Sequence, residues 1–471
     1  MTLQEARVAG TDAKGAPGSR RPASPLLLFA ICITAMFMAS LDQSIVATTL
    51  PALHTDLRTS LSWAAWTITA YQLGLIMALP VAGRLSDQFG RKRLFLVALA
   101  IFTLSSALCA TANDIYSLVS FRFIQALGGG AFTPSAIGII TDHFGKNRDR
   151  AVGMITSVVP IGSLSGPVLG GLIVGYASWR GVFIINLPVG LLVFLLVLRF
   201  VPSARPRENV RADVKGSVLL AAVLVPLMLA ITSLGEGATS PLSPQCWIPF
   251  LVFAVSLCFF LRHASSAANP VIPLRLIVRN GFGRLNIINY LYGGCALGFG
   301  ALVPLYAQER YHFTSLQAGT VLSARACGVL LVGTASALLI RRVGYRRPMI
   351  FGFVMAATGM FLIGVGPHGL GTYAWLAMSA AIMGTGNGVA APSTNNAMLS
   401  SAPDEAGAIS GLRGMFRQIG AISMVSVATA VASRSTNPGL ALGSMFILMA
   451  AIIIVVVIPL ALRVPDHRGA W

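Results

Sequence analysis

Charge is scarce in this chain. Of 471 residues only 10% are Asp, Glu, Lys or Arg, where a soluble globular domain carries about 25%. Carboxylates are scarcest, 15 against 34 Lys and Arg. With 55% hydrophobic residues and a mean hydropathy of +0.77, the shortage excludes a soluble domain and points to an all-α polytopic membrane protein. Alternating segments of about 10 residues, the mark of a membrane barrel, do not recur. No Gly-x-x-x-x-Gly-Lys loop cradles a phosphate, and no nucleophile–base pair or metal-ligand cluster stands out, so neither an enzyme nor an ATP-driven machine is expected. The six cysteines (Cys32, Cys109, Cys246, Cys258, Cys295 and Cys327) fall in or beside apolar segments without metal or disulfide spacing, and read as small packing residues. No cofactor is implied.

The net charge of +19 does not mark a nucleic-acid binder, because the basic residues sit in short loops, where Lys and Arg set membrane orientation. Residues 1–24 are polar, carry Arg7, Lys14, Arg20 and Arg21, and run directly into a full-length apolar stretch. They read as a disordered cytoplasmic tail, not a cleavable signal.

A crossing helix needs roughly 20 apolar residues. Fourteen stretches qualify: 25–50, 61–81, 94–112, 115–140, 151–176, 182–201, 214–234, 244–262, 282–307, 316–340, 349–366, 373–399, 406–432 and 440–462. The eighth is short and flanked by Pro241 and Pro244. With the N-terminus inside, the inner loops hold Arg84, Arg91, Lys92 and Arg93, then Lys146, Arg148 and Arg150, and later Arg341, Arg342, Arg346 and Arg347. The outer loops hold only Arg58, Arg180, Arg310 and Arg434. Both termini are therefore expected in the cytoplasm, and the chain in the cell (inner) membrane. The acidic turn Asp404-Glu405 is the one inner loop lacking Lys and Arg.

Two ions sit far inside apolar stretches: Asp42 within Pro25–Leu50 and Arg122 within Ile115–Ile140. A charge in hydrocarbon costs a few kcal/mol, so such residues pair and mark polar pathways. At 1.5 Å per helical residue, Asp42, Arg122 and Arg325 lie at similar depths from the outer ends of their spans. Arg413 lies about 12 Å from the cytoplasmic end of its span.

The chain also repeats itself. Gly83-Arg-Leu-Ser-Asp87-Gln-Phe-Gly90-Arg91-Lys92-Arg93 after the second span aligns with Ala337 to Arg347 after the tenth, Gly90 matching Gly344 with a basic cluster after each. Parallel repeats of this kind mark transporters whose halves rock about a midplane site. This divides the chain into a tail (1–24), a six-helix bundle (25–201), a linker with inserted helices 7 and 8 (202–270), a second six-helix bundle (271–462) and a tail (463–471).

Five motifs carry a resemblance: Leu41-Asp42 to Pro51, Gly83 to Arg93, Arg122-Phe-Ile-Gln125 to Gly130, Gly162 to Gly171, and Trp179-Arg180 to Gly190. On these residues the chain resembles the major facilitator superfamily, specifically its fourteen-helix drug:proton antiporter branch. Arg417-Gln418-Ile-Gly420 matches more loosely. The resemblance implies a monomeric proton-coupled antiporter that exports drugs or other amphipathic small molecules, driven by the proton gradient. Asp42 and Arg122 would couple protons. Gly83, Asp87, Gly90, Arg91 and Arg93 would form a conformational latch. Gly162, Gly166, Pro167, Gly170 and Gly171 would form the antiporter motif, a small face permitting close helix approach.

Polar and aromatic residues expected in the substrate cavity are Tyr71, Gln72, Asn286, Asn289, Tyr290, Arg325, Asn387, Arg413 and Gln418. Asn186 reads as a cap before Pro188. One departure stands out. Apart from Asp42 no deep carboxylate is present to balance a cationic drug, whereas Arg325 and Arg413 lie deep. This favours, as the alternative, export of a lipid, fatty acid or natural product with an anionic or zwitterionic group.

Overall fold

A computed structural model describes residues 24–144, 148–202, 213–235, 244–267, 270–272, 274, 282–369, 371–401 and 406–464, with side chains along the helices except at 80, 83–84, 87, 141–143, 148–160, 234–235, 245–246, 334–343, 399–401 and 406–412. The expected tails and the Asp404-Glu405 turn lie outside these residues, apart from Ser24, Arg463 and Val464.

Among the described residues all regular structure is helical. In order come α1 (Pro25–Ile45), α2 (Leu50–Asp56), α3 (Leu61–Phe89), α4 (Arg91–Thr111), α5 (Ile115–His143), α6 (Arg148–Tyr176), α7 (Gly181–Ile184), α8 (Asn186–Phe200), α9 (Val214–Gly235), α10 (Pro244–Ser266), α11 (Phe282–Tyr311), α12 (Ser315–Val343), α13 (Arg346–Val365), α14 (Thr372–Ser401), α15 (Ala406–Arg434), α16 (Pro438–Ile452) and α17 (Ile458–Leu462). Among the described residues eleven stretches are long and apolar enough to cross a bilayer, and Ile161–Tyr176 is a shorter apolar piece.

Among the described residues three expected spans are interrupted; the last passes from α16 through a π-helical stretch, Ile453–Val457, into α17. The first passes from α1 through a 3₁₀ turn, Val46–Thr49, into α2. Pro51 has no N–H to continue the ladder. The hydroxyls of Thr48 and Thr49 donate to the carbonyls of Ile45 (2.8 Å) and Val46 (2.7 Å), the back-bonding that bends helices. The sixth breaks at Ile185, between α7 and α8, three residues before Pro188.

Helices α1–α8 pack among themselves, as do α11–α17. The two sets meet where α6 crosses α12 and where α3 crosses α15. α9 lies against both α3 and α15, and α10 packs on α9. The repeat appears in the backbone: Gly90 (φ 93°) and Gly344 (φ 83°) each turn one helix into the next, a conformation that a side chain disfavours.

Contacts between the sets concentrate at the face bearing residues 57–60 and 312–314, the expected outer face. Ser62 and Ser433 bring their hydroxyls to 3.1 Å. The Ser323 hydroxyl donates to the Leu164 carbonyl at 3.0 Å. Gly319 sits with its α-carbon against the Pro167 carbonyl, and a Cβ on Gly171 would stand 2.5 Å from the Ser315 carbonyl. The Trp66 indole donates to Thr232 at 2.7 Å, tying α9 to the same end.

At the opposite end Asp213 joins three segments. It accepts from the Gly216 N–H (2.8 Å) and the Val271 N–H (3.0 Å), and His263 Nε2 lies 2.8 Å away. Partial burial pushes its carboxyl up, but the His263, Gly216 and Val271 hydrogen bonds outweigh this and hold it below the usual carboxylate value of 3.8. A depressed native pKa gives stability that is present above the ordinary carboxylate range and lost as pH falls through the native value. Asp213→Asn should therefore melt below the parent at neutral pH. The gap should close as pH falls below 3.8, which a pair of thermal melts across acidic pH checks.

Candidate functional site

Asp42 and Arg122 meet. Arg122 Nη1 donates to Asp42 Oδ2 at 2.7 Å, and both residues are 1% exposed. Arg122 projects from α5 and Asp42 from α1, just before the 3₁₀ turn. Two amides complete the carboxylate shell. Gln125 Nε2 donates to Asp42 Oδ1 at 3.1 Å, and Asn186 Nδ2 donates to the same oxygen at 2.7 Å. Gln125 also takes a bond from Arg122 through Oε1 at 2.7 Å. It stands three residues after Arg122, on the same helix face.

Ser106 on α4 closes the network. Its hydroxyl accepts from Gln125 and Asn186 at 3.2 and 3.0 Å and donates to the Phe183 carbonyl at 2.9 Å. Arg122 Nε donates to the Thr67 carbonyl at 3.2 Å. Its guanidinium lies over Tyr71, 4.1 Å from the ring centre, and 5.6 Å from that of Phe183. Six helices thus hold one ion pair. A buried pair persists only when its remaining lone pairs and protons are satisfied, and here the amides and the ring face do that.

Asn186 corrects the sequence reading. It is not a cap: the helix start at Ile185 has no side-chain cap bond, and the Asn186 amide points across to Asp42. Gln125 and Ser106 are further members that sequence reasoning did not single out. Tyr71, expected in the substrate cavity, is 2% exposed and packs on Arg122 instead.

The other expected residues divide by location. The antiporter-motif glycines line α6 against α1: Gly162 faces Ser40 and Leu41, Gly166 faces Ser44, and Gly170 faces Thr48 and Ile45. Ser40 and Ser163 bring their hydroxyls to 3.2 Å across this seam. Pro167 and Gly171 turn to α12 instead. One helix therefore touches the ion-bearing α1 on one side and the other bundle on the other.

In the loop motif the side chains of Gly83 and Asp87 lie outside the described residues, so the Asp87 latch does too. Arg91 donates to the Gly138 carbonyl on α5, Gly90 supplies the turn, and Arg93 is exposed. Trp179, buried at the tip of the same bundle, donates to Asp56 at 2.9 Å.

In the second bundle Asn289 is occupied, donating to the Leu285 carbonyl (2.7 Å) and facing Met398 Sδ (3.0 Å). Asn387 accepts from Tyr292 at 3.0 Å. The Tyr290 carbonyl lies against Gly420. Among the described residues Gln72 Oε1, both amide atoms of Asn286, Arg413 Nε and Gln418 Oε1 are buried atoms without a hydrogen-bond partner. Arg325 donates from Nη2 to the Ala296 carbonyl at 3.1 Å, and its Nε lies 3.4 Å from Met383 Sδ.

The family model described as Major Facilitator Superfamily matches residues 32–425. The chain belongs to the Major Facilitator Superfamily. It is 30% identical to the multidrug transporter protein MdtP of Bacillus subtilis (strain 168) over 415 residues, covering 87% of this chain and 76% of that protein. It is 30% identical to the cephamycin export protein CmcT of Amycolatopsis lactamdurans, covering 91% of this chain and 89% of that protein. The inward-open xylose transporter XylE of E. coli has the same fold, with a TM-score of 0.64 at 15% identity, covering 94% of this chain and 97% of that one. The ionic centre lies within the set α1–α8, and Arg325 and Arg413 lie within the set α11–α17.

Proposed function

We propose that the chain is a proton-coupled antiporter of the fourteen-helix drug:proton branch, exporting amphipathic small molecules by alternating access. The carrying observation is the Asp42–Arg122 pair, sealed at 1% exposure and satisfied by Gln125 and Asn186. The name of CmcT, an export protein, supports export as the direction. The reading includes fourteen crossing helices with α9 and α10 as the inserted hairpin, bundles at 25–201 and 271–462, a monomer, the cell (inner) membrane and both termini in the cytoplasm.

Protonating Asp42 removes the counter-charge of Arg122. An uncompensated buried charge costs several kcal/mol. Relief comes from water or a substrate group reaching the guanidinium, which requires the sealed centre to open. The α6 seam transmits that movement to α12. A proton crossing 100 mV contributes about 2.3 kcal/mol, enough to bias the cycle.

The test is reconstitution in liposomes with an imposed pH gradient. Asp42→Asn should lose gradient-driven efflux but keep substrate exchange at equal pH. Undiminished gradient-driven efflux in that variant would remove Asp42 from the mechanism. A second reading, export of a compound with an anionic group, is favoured by the arginines of the second bundle.

A further inference from the structure

Three arginines of the second bundle, each half-buried, have no carboxylate partner among the described residues. Arg325 on α12 crosses to α11, where its Nη1 lies 3.0 Å from the position a Cβ on Gly300 would take. Arg417 on α15 packs on Gly293 of the same helix, about one turn below the Ala296 carbonyl that Arg325 bonds. Arg413 lies one turn below Arg417. Arg325 and Arg413 are each within Coulombic range of Arg417, and the neighbouring ionisable group that Arg325 and Arg417 share is the Tyr292 phenol. Among the described residues none of the three arginines has an ion-pair partner, in contrast to Arg122.

Such an arrangement is unfavourable as it stands. A half-buried cation without a counter-charge is held at a cost in desolvation, and like charges nearby add to it. Unmet donors accompany the charges. Among the described residues Arg413 Nε has no acceptor, and neither amide atom of Asn286 has a partner although the residue is 2% exposed. Asn286 lies two turns below Gly293 on the same face of α11, on the Arg413 side of the cluster. Guanidinium forks bind planar oxyanions bidentately.

We propose that Arg325, Arg413 and Arg417, with Asn286, form an oxyanion-binding subsite, so that the transported class is amphipathic organic anions. The assignment rests on the transport reading above and names its substrate class.

The test uses the purified full-length chain in a neutral detergent and three isosteric probes: 2-naphthoate, 2-naphthylmethanol and 2-naphthylmethylammonium. Naphthoate should raise the melting temperature and bind about tenfold or more tighter than the alcohol, a difference of about 1.4 kcal/mol. The ammonium probe should give no shift. Arg413→Gln and Arg417→Gln should erase the preference for naphthoate, yet melt no lower than the parent without probe, because a repelling charge is gone. Arg417→Lys keeps the charge and should keep part of the preference.

Equal shifts from all three probes would overturn the proposal, as would an unaltered preference in the Arg413→Gln/Arg417→Gln double variant. Stabilisation by phosphatidylglycerol with none by naphthoate would assign the cluster to a lipid headgroup and also overturn it. The binding readout needs no pH gradient, and Asp42→Asn should keep the naphthoate preference. Failure of the anion subsite and failure of proton coupling are thus read separately.

Discussion

Asp42→Ala should destabilise the protein by about 3–5 kcal/mol, the cost of leaving one partner of a buried pair uncompensated. The stranded partner is Arg122, at 1% exposure, so solvent offers it no relief. Arg122→Met in the same chain should recover much of the loss, because replacing a whole buried pair by apolar side chains is near neutral. Recovery stays incomplete, since Gln125 and Asn186 lose their acceptor and an orphaned buried amide costs about 1–3 kcal/mol. Unfolding midpoints of the two single variants and the double give the coupling energy directly. Additive effects would show that the pair does not hold the bundle together and that the centre owes its order to the surrounding helices alone.

The second large effect concerns the closed face. Gly319 of α12 lies with its α-carbon on the Pro167 carbonyl of α6, so no side chain fits while that face is shut. Backbone cannot step aside as a flexible side chain can. Overpacking of this kind costs about 1–3 kcal/mol or more, equivalent to a shift of about 5- to 150-fold between two states. Gly319→Leu should therefore depopulate the closed arrangement. The reporter is a cysteine pair replacing Ser62 and Ser433, whose hydroxyls are 3.1 Å apart. Its oxidation should be rapid in the parent and slow with Gly319→Leu, and the formed crosslink should stop transport. Equal oxidation rates in both backgrounds would mean that the α6–α12 contact does not control the face.

The helices were legible because hydrophobic runs of bilayer length leave little choice of structure. The breaks were not. Pro51 and Pro188 were visible, but proline in a membrane helix signals only that a bend is allowed; Thr48 and Thr49 turned the first into a 3₁₀ step. The partnership of Asp42 with Arg122 could be inferred from charge and depth alone, since two lone ions at one level satisfy each other. Asn186 could not. Its place before a proline has a local explanation, and only the approach of α8 to α1 shows that its amide is spent across helices. Gln125 carried a weaker signal, the three-residue spacing from Arg122. Arg417 was visible as part of a motif, but its charge gains meaning only when α11 brings it beside Arg325. The latch around Asp87 was read from its motif, and its side chain lies outside the described residues.

The ionic centre also has a history in the making of the protein. Asp42 precedes Arg122 by 80 residues and Asn186 by 144. At roughly 5–20 residues per second, the carboxyl group waits about 4–16 s for its guanidinium and longer for its second amide. Through that interval the nascent first helix carries a lone acid that hydrocarbon rejects. Until Arg122 is threaded the acid is carried protonated or held near the headgroups, and its hydrogen-bonded seat is complete only when Asn186 arrives. Completion of the first bundle is thereby registered chemically, by an acid that has no favourable depth in the membrane until its last partner has been synthesised.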